Sequence, residues 1–160
     1  MQFSEQARIE YEGILARYPK PEAAIKVVLA LAQREFGSIS DEVEQYLSGL
    51  MGLHVSQIHA VATFYTLFNT KPTGKHHIQV CRNLSCSLLG AEHIVDHLQR
   101  ALDVPVGGTT KDGVFTLSTV ECLGSCGTAP MMQIDDTYYE NLTPGRVDQI
   151  IDELRGGGTG

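Results

Sequence analysis

Four cysteines are the residues of this chain best suited to chemistry. Cys81 and Cys86 form a C-x4-C pair in the stretch VCRNLSCSLLG, and Cys122 and Cys126 form a C-x3-C pair in ECLGSCGTAP. A gap of 35 residues separates the two pairs, and the chain contains no other cysteine. Thiolates bind metals, exchange disulfides and act as nucleophiles, so the spacing and the surroundings must decide among these uses.

Structural disulfides are disfavoured. The N-terminal stretch MQFSEQARIEYEG is polar and acidic, unlike a secretory signal peptide. The longest apolar run, at 23–32, contains Lys26 and is too short to cross a bilayer. We therefore expect a cytoplasmic protein, and disulfides are rare in the reducing cytoplasm. The leading hypothesis is a metal or cluster site in which the fold brings two ligand pairs together.

The spacing of the cysteines favours a 2Fe–2S cluster over zinc but leaves zinc open. Structural zinc sites and redox dithiols mostly use C-x2-C, and zinc sites often add histidine. A 4Fe–4S site usually carries a C-x2-C-x2-C run, which this sequence lacks. Gly124 and Gly127 would suit a tight loop whose backbone N–H groups approach sulfur. Side-chain hydrogen bonds to sulfur could come from three nearby serines: Ser85, Ser87 and Ser125.

The histidines do not predict a second site. His93 and His97 are spaced i, i+4 on a predicted helix, but the glutamate of an H-E-x-x-H motif is missing, so we expect both to be exposed to solvent. His76 and His77 are adjacent on a predicted strand and point to opposite faces. We recognise neither a nucleotide-binding loop nor a pairing of nucleophile and base. No catalytic residue is therefore predicted.

The composition is that of an ordinary globular protein. Hydrophobic residues make up 42% and charged residues 19% of the 160 residues. The formal net charge of −7 argues against a nucleic-acid or anionic-membrane surface, because phosphate binding requires clustered Lys and Arg. We therefore expect no nucleic-acid partner and no direct contact with a membrane.

Helical periodicity dominates the chain up to residue 71 and predicts a small four-helix domain over 1–71. Pro21 suits the first turn of the second helix, and Gly37 suits the position after its last turn. Ser40 and Ser56 are the expected N-terminal residues of the third and fourth helices. The predicted spans are 4–18, 21–36, 40–52 and a fourth helix opened by Ser56 that presents Ile58, Val61, Tyr65 and Phe68 on one face.

The pattern from 72 to 154 predicts an α/β domain, and the tail 155–160 is expected to be disordered. Strands are predicted at 76–81 and 114–122, a hairpin at 131–136 and 137–142, and helices at 88–102 and 143–154. Each cysteine pair begins where a predicted strand ends. We therefore expect both pairs to emerge at the same edge of the α/β layer.

Four stretches of the sequence resemble one protein family. VATFYTLF, VCRNLSC, VECLGSCGTAP and NLTPGRVDQII are similar to the thioredoxin-like ferredoxin subunit of bacterial respiratory complex I, the NADH:quinone oxidoreductase. The resemblance extends from about residue 8 to residue 154. It implies a thioredoxin-like 2Fe–2S ferredoxin domain after the helical domain. Peripheral subunits of NAD-linked hydrogenases and formate dehydrogenases carry the same cysteines and the same helical domain.

The resemblance implies one 2Fe–2S cluster held by Cys81, Cys86, Cys122 and Cys126. The simplest pairing places the first two thiolates on one iron and the last two on the other. The resemblance also implies a hetero-oligomeric complex with a flavoprotein subunit that binds FMN, NADH and a 4Fe–4S cluster, at the cytoplasmic face of the inner membrane. Docking to that subunit is expected near HAVATFYTLF (59–68), with Phe64 and Leu67 at the margin of the buried helix face.

Three functions thus stay open at the level of the sequence. The chain is expected to be an electron-transfer subunit of NADH:quinone oxidoreductase without independent activity. The first alternative is the equivalent subunit of a soluble NAD-linked formate dehydrogenase or hydrogenase. The second alternative is a protein-interaction module that a structural zinc ion stabilises.

Overall fold

The computed structural model describes residues 1–156, which fall into two compact units. The first unit ends at Pro72 and the second begins at Thr73, one residue beyond the boundary expected from the sequence. Each unit has its own core of buried apolar side chains. None of the helices within residues 1–156 is both long enough and apolar enough to span a bilayer.

The first unit consists of four helices that begin and end where local chemistry dictates. Ser4 and Ser40 accept hydrogen bonds from backbone N–H groups in the first turns of the first and third helices. The second helix begins at Pro21 and ends before Gly37, whose φ of 82° places it in the left-handed region that favours glycine. The helices are α1 (Glu5–Leu15), α2 (Pro21–Phe36), α3 (Asp41–Met51) and α4 (Val55–Phe64).

The fourth helix differs from the sequence prediction at both ends. His54, not Ser56, is the capping residue: its ring accepts a hydrogen bond from the Ser56 backbone N–H, and Gln57 bonds back to the His54 backbone. The helix ends at Phe64, because Tyr65 adopts an extended conformation. Ile58 and Phe68 are nevertheless buried, as the apolar pattern predicts.

The second unit is built on a four-stranded sheet in the order β2-β1-β3-β4. Strand β1 pairs in parallel with β2 and antiparallel with β3, and β3 and β4 form a hairpin. Helix α6 packs against β1 and β2, and α7 packs against α6. The strands are β1 (His76–Cys81), β2 (Phe115–Val120), β3 (Met132–Ile134) and β4 (Thr137–Tyr139), and the helices are α5 (Leu84–Leu88), α6 (Ala91–Leu102) and α7 (Pro144–Gly156).

Two boundaries in this unit correct the sequence prediction. The helix predicted at 88–102 begins only at Ala91, because Gly90, with a φ of 96°, interrupts the chain before α6, and residues 84–88, expected to be largely loop, form the short helix α5. The last helix continues to Gly156, so the first two residues of the tail expected to be disordered are helical. The rest of that tail, 157–160, lies outside the described residues.

Candidate metal centre

The parallel pairing of β1 and β2 places both cysteine loops at one edge of the sheet. Cys81 is the last residue of β1 and lies opposite Val120, the last residue of β2. Cys122 follows only two residues after Val120. The expectation that both pairs emerge at the same edge is therefore confirmed for the strands that carry them.

The first pair of thiols is buried. Cys81 and Cys86 are each 2% exposed. Asn83 positions Cys86 by capping α5, where its side chain accepts a hydrogen bond from Leu84. Burial, together with Cys81, raises the pKa of the Cys86 thiol to about 11, against a partial opposing effect of a backbone hydrogen bond at Met131.

The second pair of thiols is exposed and already spaced for one metal ion. The Sγ atoms of Cys122 and Cys126 are 3.9 Å apart. Two thiolates on one tetrahedral metal, at about 2.3 Å from it, lie about 3.8 Å apart. Gly124, with a φ of 84°, bends the loop so that its N–H donates to the Cys122 sulfur at 3.3 Å. Hydrogen bonds of this kind stabilise negative charge on sulfur.

The two cysteine loops are near one another and are linked by polar side chains. Cys126 also raises the pKa of Cys86, so the second loop lies within electrostatic range of the first pair. Asn83 Nδ2 donates to Glu121 Oε2 at 3.1 Å, and Arg82 Nε lies 3.8 Å from Glu121 Oε1. These contacts join the residues just after Cys81 to the residue just before Cys122.

The donor set fits a two-iron cluster. All four donors are thiols, and they are arranged as two pairs rather than as one tight group of four. Among the residues that the structure describes, no three His, Cys, Asp or Glu side chains are close enough to hold a single metal ion. A 2Fe–2S cluster requires two thiolates at each of two irons, which corresponds to this arrangement in pairs.

Strand β4 and the residues directly after it hold the second cysteine loop, a feature that the sequence did not predict. The Tyr138 hydroxyl donates to the Leu123 carbonyl at 3.0 Å, and the Asn141 N–H donates to the Thr128 carbonyl at 2.8 Å. Ser125, considered from the sequence as a donor to sulfur, instead donates its hydroxyl hydrogen to Glu140. The only indication of these contacts in the sequence was the presence of hydroxyl side chains, Ser125 and Thr128, on either side of Cys126.

The histidines do not join the cysteines. His93 is exposed as expected, but His97 is half-buried, because its Nε2 lies 2.6 Å from Asp148 Oδ1. This corrects the expectation that both are exposed to solvent. His76 Nδ1 lies 2.8 Å from Asp135, at the opposite end of β1 from Cys81.

Exposed apolar side chains lie close in sequence to Cys86. Leu84, Leu88 and Leu89 are all exposed, on or just after the helix that carries Cys86. Exposed patches of apolar surface commonly mark sites of protein–protein contact.

Fold and donor set together define an iron–sulfur ferredoxin of the thioredoxin-like class. Residues 11–155 match the thioredoxin-like [2Fe-2S] ferredoxin family, and the chain belongs to this family. It accordingly carries a 2Fe–2S cluster.

Relatives with high sequence identity are components of one kind of oxidoreductase. The chain is 44% identical to an NADH-quinone oxidoreductase subunit of Rhizobium meliloti, over 92% of this chain and 88% of the relative. It is 40% identical to NADH-quinone oxidoreductase subunit 2 of Thermus thermophilus, over 98% of this chain and 88% of the relative. The solved structure of an NAD+-reducing [NiFe]-hydrogenase superimposes on this chain with a TM-score of 0.70. The superposition covers 81% of this chain and 23% of the hydrogenase chain, at 22% sequence identity, and shows a shared fold.

Proposed function

We propose that this chain is the electron-transfer subunit of an NADH:quinone oxidoreductase, with one 2Fe–2S cluster that exchanges electrons with the FMN of a partner flavoprotein. The observation that carries the proposal is the 40–44% identity to NADH-quinone oxidoreductase subunits over about nine-tenths of both chains. The chain has no catalytic role of its own in this proposal and acts only as a carrier. Its place is at the cytoplasmic face of the inner membrane, held there by the other subunits.

The ligands in this proposal are the four cysteines. Cys81 and Cys86 bind one iron, and Cys122 and Cys126 bind the other. When bound, the cluster accepts and releases one electron at a time. The buried first pair keeps water away from its half of the centre, and the Gly124 N–H offsets negative charge on the Cys122 sulfur.

The exposed second pair favours electron exchange with a partner. Cys122 and Cys126 are at the surface, so a cofactor of another subunit can approach this half of the centre without any rearrangement of this chain. The proposed partner is a flavoprotein that binds FMN, NADH and a 4Fe–4S cluster. A flavin is required because NADH delivers a hydride, whereas this centre takes single electrons.

The likeness to the hydrogenase does not favour the alternative functions. At 22% identity it shows the fold alone, whereas the relatives above 40% are named as subunits of NADH-quinone oxidoreductase. The donor pairs also fit two irons better than one zinc ion, which takes its four ligands at a single centre.

Analysis of the purified protein tests the two parts of the proposal, the 2Fe–2S cluster and the role as an electron carrier. We expect two irons and two acid-labile sulfides per chain, and an electron-resonance signal only after one-electron reduction. NADH should leave the visible bands of the isolated protein unchanged and bleach them when the flavoprotein is added. Stoichiometric zinc without sulfide would overturn the cluster assignment, and rapid bleaching by NADH alone would overturn the carrier role.

A further inference from the structure

We propose that Glu140 is a positioning residue for the exposed half of the metal centre, where its carboxylate fixes the loop around Cys126 and keeps a negative charge beside the cluster. The inference rests on the proposed function, since it concerns the same centre. Glu140 directly follows Tyr139, the last residue of β4, and is distant in sequence from all four cysteines.

The carboxylate of Glu140 accepts hydrogen bonds from two hydroxyl groups on either side of Cys126. Its Oε1 atom accepts from the hydroxyl of Ser125 and from Thr128 Oγ1, the latter at 2.5 Å. The two hydroxyl oxygens are 2.8 Å from one another. Ser125 immediately precedes Cys126 and Thr128 lies two residues after it, so a single oxygen atom holds both ends of the turn that carries the thiol.

The same segment holds the loop at further points, which makes Glu140 part of a continuous clamp. Tyr138 binds the carbonyl of Leu123, and the backbone N–H of Asn141 binds the carbonyl of Thr128. Glu140 lies between these two anchors and is the member of the clamp that carries a charge. The hydrogen bonds from Ser125 and Thr128 also lower the pKa of Glu140, so the carboxylate is ionised at neutral pH.

A charge fixed at this position affects the redox equilibrium as well as the geometry. Adding an electron to a centre close to a carboxylate is electrostatically unfavourable, so the charge of Glu140 lowers the reduction potential. Glu140→Gln removes the charge but retains an oxygen that can accept from both hydroxyls. Glu140→Ala removes both the charge and the acceptor, and leaves Ser125 and Thr128 without this partner.

The test compares these variants with Asp136→Asn. Asp136 is an exposed carboxylate in the β3–β4 turn, on the same hairpin but at the end of the sheet away from Cys81. We expect Glu140→Gln to keep full iron content and to increase the equilibrium constant for reduction by about two- to tenfold, as expected for the loss of one partly screened charge. We expect Glu140→Ala to lose iron to a chelator several-fold faster than wild type, and Asp136→Asn to match wild type in both measurements.

Two results would overturn the inference. One is a Glu140→Gln protein with the same midpoint potential as Asp136→Asn, and the other is a Glu140→Ala protein that releases iron no faster than Asp136→Asn. Failure of the proposed function is distinguishable from both, because it would appear in the wild-type protein itself, either as zinc without sulfide or as bleaching of the visible bands by NADH alone. The change in potential also separates positioning at the cluster from a purely structural role in the hairpin.

Discussion

The two thiol pairs lie in different environments, although they belong to one candidate centre. Cys81 and Cys86 are 2% exposed, whereas Cys122 and Cys126 are at the surface. A thiol reacts as its thiolate, so burial and a raised pKa both slow its modification. Exposure and protonation therefore predict which thiols react first in the metal-free protein.

Thiol modification of the metal-free protein should be biphasic. We expect Cys122 and Cys126 to be alkylated quickly at neutral pH and Cys86 slowly, because the pKa of Cys86 is raised to about 11. Peptide mass spectrometry of a time course gives the order of modification. Equal rates at all four positions, with the fold intact, would show that the first pair is not buried in solution.

The same pKa shift makes the metal-free protein sensitive to alkaline pH. The folded state holds the Cys86 proton more tightly than the unfolded chain, so the free energy of unfolding decreases as the pH rises from the ordinary thiol value of 9.0 towards about 11. Metal binding requires the thiolate form, so it releases this proton and removes the effect. Thermal unfolding at several pH values, with and without the cluster, measures the difference.

Single substitutions of the cysteines test the proposed ligand set. We expect Cys86→Ala and Cys122→Ala each to abolish the cluster and to destabilise the second unit, because the centre connects segments far apart in sequence. Serine at the same positions retains an oxygen that can bind iron, so a distorted centre with altered visible bands is the expected result there. A Cys→Ala variant with the wild-type spectrum would show that the replaced residue is not a ligand.

At the scale of helices and strands, regular elements with standard signals were predictable from the sequence. β1 agrees with the prediction residue by residue at 76–81, and α2 agrees at 21–36. The first has a compact run of strand-forming residues, and the second has a proline at its start and a glycine after its end. These signals are local, so a single sequence contains all that is needed to place them.

The elements that were misplaced depend on less common or non-local contacts. His54 caps α4 although histidine is not among the preferred capping residues, and the apolar spacing continued beyond Phe64 after the helix had ended. The clamp of Glu140 on Ser125 and Thr128 joins residues 12 and 15 apart along the chain. These hydrogen bonds form only when the β3–β4 hairpin brings Glu140 to the cysteine loop. The periodicity of the sequence does not indicate that approach.

The separate cores of the two units predict separate unfolding. Leu47 in α3 and Leu117 in β2 are both fully buried, each in the core of its own unit. Leu47→Ala and Leu117→Ala should each cost about 2–5 kcal/mol, from lost burial and the cavity left behind. We expect only Leu117→Ala to lower the temperature at which the visible absorption of the cluster is lost.

Comparison of Leu47→Ala with Leu117→Ala also shows which result would contradict separate unfolding of the two units. Thermal unfolding followed by far-UV circular dichroism should show that both variants are less stable than wild type. This control verifies that each substitution has an effect on its own unit. If Leu47→Ala lowered the temperature of cluster loss as much as Leu117→Ala does, the two units would unfold as one cooperative body.

At the scale of the whole molecule, the function proposed here requires a partner, and the helical unit offers a surface for it. Phe64 is 75% exposed and Leu67 is 47% exposed, as the margin of the helix face predicts. The Phe64 ring forms a T-shaped pair with the Tyr65 ring, with centroids 4.9 Å apart, and most of the Phe64 side chain faces solvent. Large exposed aromatic and aliphatic side chains are frequent anchors of protein–protein interfaces.

Replacement of these two side chains should weaken the complex without harming the fold. We expect Phe64→Ser/Leu67→Ser to raise the dissociation constant for the flavoprotein by about tenfold or more, since anchor residues each contribute about 1–2 kcal/mol or more. Ile9→Ser is the matched control, because Ile9 is an apolar residue of the same unit that is 61% exposed. Calorimetric titration of each purified variant with the flavoprotein measures the affinity, and the visible spectrum reports whether the cluster is intact. Wild-type affinity in the double variant would exclude this surface from docking, whereas equal weakening by Ile9→Ser would show a general effect of lost surface hydrophobicity rather than a specific contact.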